Sequence, residues 1–135
     1  MPSSLISLVK NAKRVFLAGN GGSASNAAHI CNDLETCGIR AYVMNEATKS
    51  AWENDGEHGD VFAKWIRLHG EPGDLLIALS GSGKSPNILN ACVAAESLGM
   101  TVWREFGAVI GYDMQRAEEM QIKLGHEVMR CLRKT

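Results

Sequence analysis

No stretch of this chain is apolar for long enough to span a bilayer, and the opening MPSSLISLVKNAKR lacks the extended apolar core of a secretory signal. No C-x-x-C pair occurs among Cys31, Cys37, Cys92 and Cys131. Three of the four sit in helical, partly apolar contexts, which reads as free buried thiols in a reducing compartment, and hence as a cytoplasmic protein. An excess of charge is lacking too: 14 basic against 15 acidic residues leave a formal net charge of −1. With no basic run interleaved with aromatics, neither nucleic acid nor an anionic membrane is indicated as a partner. The small basic cluster Arg130, Arg133 and Lys134 suits a helix C-terminus, where the dipole favours cations. No linker or low-complexity run divides the chain, so residues 1–135 read as a single domain, short for an α/β enzyme.

What is present is a device used twice. The apolar run Val15-Phe16-Leu17-Ala18-Gly19 stops at Asn20-Gly21-Gly22-Ser23, and a helical segment, SASNAAHICNDL, follows at once. The run Leu75–Leu79 ends likewise in Ser80-Gly81-Ser82-Gly83-Lys84-Ser85 before a helix opening at Pro86. A strand, a glycine turn and a helix start in that order make an anion site. The first N–H groups of a helix have no intrahelical partner, and its dipole places partial positive charge there. Either turn alone would serve as an ordinary polar cap. Two of them in one small chain point to a phosphorylated ligand.

The rest of the pattern alternates strand and helix. A short helix from Ser3 or Ser4 to about Ala12 precedes a strand at Arg14–Ala18. Helix Ser23–Thr36 follows, stopping near Gly38, then a strand at Ile39–Met44. A polar connection containing Asn45, Asn54 and Asp55 leads to a helix over Asp60–His69. Strand Leu75–Leu79 is apolar throughout, as a strand covered on both faces should be. A helix from Pro86 to Gly99, a strand at Met100–Trp103 and a last helix over Met114–Leu132 complete the chain. Arg104–Asp113 offers no fifth strand beyond Ala108-Val109-Ile110. Strands alternating with helices predict a doubly wound parallel sheet in an α/β fold.

Two familiar look-alikes fail. A P-loop would need glycine where Ala78 stands. A dinucleotide fingerprint would need glycine at Ala24 and an acid near Val43-Met44-Asn45, where none occurs.

GNGGSASNAAHICNDL together with LIALSGSGKSPNILNA resembles the sugar isomerase (SIS) domain, in its sedoheptulose 7-phosphate isomerase (phosphoheptose isomerase) branch. The resemblance runs from about Val15 to Trp103 and resumes over Glu118–Leu132. It implies a flavodoxin-like, five-stranded α/β/α sandwich and a homotetramer with active sites at subunit contacts. It also implies interconversion of sedoheptulose 7-phosphate and a glycero-manno-heptose 7-phosphate. Carried over by position, Ser80, Gly81, Ser82 and Ser85 form the phosphate cradle, and Asn20, Gly21, Gly22 and Ser23 touch the sugar phosphate, as do Asn54 and Asp55. His29, Asp33, Glu118 and His126 occupy the family's zinc and catalytic positions. Asp33 and His126 would be the catalytic pair, and Glu118 would also face substrate. Helical spacing agrees: residues four apart share a face, and Glu118 and His126 stand two turns apart. Two imidazoles and two carboxylates suit zinc.

The sequence departs from the family at Asp33, where characterised isomerases carry Glu, and at Glu118, where they carry Gln. The long N-terminal helix is nearly absent, as is the T-G-x-x-G-G loop after the fourth strand. Asp33 and the shortened ends favour a second reading, a SIS module that binds a sugar phosphate or a partner protein without turnover, while the set His29, Asp33, Glu118 and His126 favours the enzyme.

Overall fold

The computed structural model describes residues 2–56, 58–107 and 113–134. Its centre is a parallel sheet in the order β2-β1-β3-β4, formed by Ala41–Val43, Val15–Ala18, Leu75–Ser80 and Thr101–Phe106 respectively. Every residue of β1 and β3 is buried, which explains why both are continuous apolar runs rather than alternating ones. Successive side chains nevertheless go to opposite layers. Phe16, Ala18, Leu76 and Ala78 pack with Val61, Phe62, Trp65, Ile66, Ile88 and Cys92, on α4 (Val61–His69) and α5 (Pro86–Ser97). Val15, Leu17, Leu75, Ile77 and Leu79 face Leu5 and Val9 of α1 (Pro2–Asn11), Ile30 and Leu34 of α2 (Gly22–Thr36) and Val128 of α6 (Met114–Arg133). The result is the expected three-layer α/β/α sandwich. No helix among the described residues is long and apolar enough to cross a membrane.

The strand order positions the site. β1 pairs with β2 on one side and β3 on the other, Ala18 standing beside Ala78 at the carboxyl ends. Here the winding reverses, so the loops leaving β1 and β3 part to opposite layers and open a crevice between them. Both glycine turns leave the sheet at this point.

Three boundaries differ from the sequence reading. The polar connection after β2 is mostly helix, α3 (Glu46–Asn54). It buries no residue completely, so no apolar stripe announces it. It is held by the Asn45 side chain, which accepts from the N–H groups of Ala47 and Thr48, and by a Lys49–Glu53 pair one turn apart. β2 is shorter than Ile39–Met44. β4 continues through Arg104-Glu105-Phe106, paired with Ala78, Leu79 and Ser80. That extension is legible only as pairing, because polar side chains are tolerated on its half-exposed faces. The fifth-strand reading at Ala108–Ile110 lies outside the described residues.

Candidate active site

The first turn is built by close approach. A Cβ on Gly19 would fall 2.6 Å from the carbonyl group of Ser23, so only glycine lets α2 start this close to the end of β1. Gly21, at φ 54°, occupies the N-cap of α2 without any side-chain cap hydrogen bond. The second turn is built by hydroxyls. Ser80 Oγ lies 3.3 Å from Ser85 Oγ and 3.5 Å from Ser82 Oγ, and it accepts from the N–H of Gly83 at 3.0 Å. Ser82 Oγ accepts from the N–H of Lys84 at 3.1 Å. Ser85 is the N-cap of α5 and makes no side-chain cap bond. Three hydroxyls and two loop amides thus satisfy one another at a helix N-terminus. A phosphoryl group can replace those internal bonds one for one.

The two turns are tied together. Asn20 Nδ2 donates to Asn87 Oδ1 at 2.9 Å, and Asn87 Nδ2 donates back to Asn20 Oδ1 at 3.0 Å. Asn20 is therefore engaged across the crevice. Its partner, in the first turn of α5, is a residue that sequence reasoning missed.

The second half of the site lies along a seam between α2 and α6. His29 Nε2 and His126 Nε2 are 3.1 Å apart, and Asp33 Oδ2 lies 3.3 Å from His29 Nε2. The three donor atoms all lie within 4.8 Å of one another. Asp33 is 9% exposed, and its Oδ2 has no hydrogen-bond partner. A buried orphan carboxylate oxygen facing two imidazole nitrogens is costly unless a proton or a cation lies among them. Two ligands about 2.0–2.1 Å from a tetrahedral zinc ion stand roughly 3.3 Å apart, close to the spacings seen here. The donor set therefore fits a divalent metal of the zinc type.

Glu118 does not join this cluster. It lies two turns earlier on α6, about 12 Å along the axis from His126. Its carboxylate sits against Gly22, where a Cβ would meet Glu118 Oε2 at 2.2 Å. The metal assignment of Glu118 is corrected accordingly: it borders the glycine turn. Ser23 is corrected as a ligand contact, since its side chain is 3% exposed and its hydroxyl donates to Gln121 Oε1 at 3.1 Å. Gly22 is exposed at the start of α2, beside the Glu118 carboxylate. Asn54 and Asp55 close α3 and are exposed, and their side chains form no hydrogen bond to either turn.

A family model for the SIS domain matches residues 3–103. This chain belongs to the SIS domain family. Over 99 residues it is 38% identical to the phosphoheptose isomerase of Crocosphaera subtropica, an overlap covering 67% of this chain and 50% of that protein. The phosphoheptose isomerase of Chlorobaculum parvum is 30% identical over 155 positions, covering 96% of this chain and 74% of that protein. That overlap is longer than the 135-residue chain, so the relative has residues where this SIS domain has none. Among solved structures, a phosphoheptose isomerase from Neisseria gonorrhoeae superposes with a TM-score of 0.85 at 25% identity, over 99% of this chain and 83% of that one. The chain spans about half the length of the Crocosphaera protein and of a Rhodospirillum rubrum relative, 50% and 52%. The match to the SIS model ends before α6, the helix that carries His126 and Glu118.

Proposed function

We propose that this SIS domain, filling residues 1–135, is a phosphoheptose isomerase that interconverts sedoheptulose 7-phosphate and a glycero-manno-heptose 7-phosphate. One observation carries the proposal: the hydroxyl-lined turn and the glycine turn meet at the β1/β3 crevice, and α2 runs from the glycine turn straight to the His29–Asp33–His126 cluster. At 1.5 Å per residue the cluster lies about 10 Å along α2 from Gly22, a span that suits a sugar phosphate held at one end and reacting at the other.

Ser80, Ser82 and Ser85, with the loop amides, would hold the phosphate and fix the sugar's direction. Asp33 would remove the proton from C1 of the ketose and return it to C2 of the enediol. His126 would move the proton between the two oxygens. His29, Asp33 and His126 are the residues that would hold a zinc ion, which when bound would polarise the substrate carbonyl. Glu118, against Gly22, would contact the sugar's hydroxyls.

The assembly we infer is a homotetramer in the cytoplasm. Exposed Leu68, Leu89 and Val93 on α4 and α5 supply apolar surface for subunit contacts, and four free cysteines suit a reducing compartment.

The test is conversion of sedoheptulose 7-phosphate in deuterated water, with and without added zinc, for wild type and His126→Ala. Turnover with deuterium entering C2, lost in His126→Ala, is the expected result. Binding without turnover under both metal conditions would rule instead for a sugar-phosphate-binding module.

A further inference from the structure

Two buried side-chain polar atoms among the described residues lack a hydrogen-bond partner, and both lie on the α2–α6 seam. One, Asp33 Oδ2, is accounted for by the metal reading. The other is Nε2 of Gln121, a residue 1% exposed. Around it Leu5, Val9, Leu34, Ile77, Leu79 and Val128 line a cavity of about 10 Å³. That space barely admits one water molecule and offers it too few polar partners. An amide is a poor choice for such surroundings, where leucine would pack without an orphan donor.

Its other end shows what the amide does. Gln121 Oε1 accepts from Ser23 Oγ at 3.1 Å and from Asn26 Nδ2 at 2.9 Å, and Asn26 Nδ2 also donates to the Glu118 carbonyl at 2.8 Å. These bonds fasten the first turn of α2 to α6. One turn further on, Gly125 lets α6 approach Ile30 so closely that a Cβ would fall 2.5 Å from Ile30 Cγ1. His29 and His126 face each other directly beside that contact. A smooth apolar seam can slide or rotate. A buried amide with two donors on the facing helix has a single register.

We propose that Gln121 is a positioning residue: its side-chain oxygen, held by Ser23 and Asn26, sets the register of α6 on α2 that brings His126 to His29 and Asp33. This rests on the metal reading of that cluster, and the experiment separates the two.

Gln121→Leu, Gln121→Glu and wild type are compared for Co²⁺ affinity and visible absorption, for the imidazole NMR signals of His29 and His126 without metal, and for thermal unfolding. Gln121→Leu is expected to melt within a few degrees of wild type, because it removes an orphan donor. Its Co²⁺ affinity should fall at least tenfold, with altered imidazole signals. Gln121→Glu keeps the acceptor and should bind Co²⁺ within threefold of wild type. Wild-type affinity and imidazole signals in Gln121→Leu would overturn the assignment, and so would equal losses in both variants. Should Gln121→Leu not fold, Ser23→Ala removes a single donor and should weaken Co²⁺ about threefold; unchanged affinity there overturns the proposal. If wild type binds no Co²⁺ but the imidazole signals still respond to Gln121→Leu, the metal reading fails and the positioning role stands.

Discussion

Ser80, Ser82 and Ser85 differ in how much each gives up when a ligand arrives. Ser80 is 3% exposed and bonded to the N–H of Gly83, so it shapes the turn. Ser82 is half-buried and closer to the open side. Ser82→Ala should therefore leave the fold intact while weakening sugar-phosphate binding about tenfold, the worth of one charge-assisted hydrogen bond. Titration calorimetry checks this, and unchanged affinity would remove Ser82 from the cradle. Cys31 allows a second prediction. Burial, reinforced by the charge of nearby Glu35, pushes its thiol up to about 11. The folded state thus favours the protonated thiol more than the unfolded state does. The associated stability is fully present below about pH 9 and is lost as pH rises toward 11. The urea midpoint of wild type should fall over that range more steeply than that of Cys31→Ala. Alkylation mapped by mass spectrometry at neutral pH should find exposed Cys131 labelled well before Cys31.

Elements here are placed by what their ends can tolerate. Gly19→Ala would push the start of α2 off the end of β1, because the obstruction is backbone rather than a side chain that can swing away. A loss of about 2 kcal/mol in urea unfolding is expected, with weaker sugar-phosphate binding, as for other overpacked sites. At this scale the sequence is most readable. Buried strands are apolar runs, glycine marks where they stop, and the periodic faces of α2, α4 and α6 declare themselves. α3 was hidden because capping and an ion pair, not burial, hold it in place. Asn45→Ala should cost about 1 kcal/mol and shift the same unfolding curve. The two turns were legible because glycine and serine spacing is local. Asn87 and Gln121 were not, since their roles are contacts with residues 67 and 98 positions away.

For the molecule as a whole, the end of the sheet opposite the site is fixed by charge. Asp74, at 0% exposed, accepts from Arg14 Nη2 at 2.8 Å, from Arg14 Nε at 3.3 Å and from the N–H of Glu71. This anchors the starts of β1 and β3 together, at the end of the sheet away from the two turns. Arg14→Met would strand the carboxylate, and a loss of about 3 kcal/mol in urea unfolding is expected. Sedimentation of wild type should show a tetramer, and a monomer at micromolar concentration would remove the inferred assembly. The sheet has a further consequence for how the protein is made. Among the described residues every strand pairs in parallel with a neighbour beyond an intervening crossover, Val15 with Ala41 and Leu75, and Leu75 with Thr101. None of these four strands can zip up with another as a hairpin while the chain leaves the ribosome. β3 gains its second partner strand only once the segment ending at Phe106 has emerged, and its layer with Val128 closes only once α6 has followed. Until then the growing chain exposes apolar strand surface that the folded molecule buries.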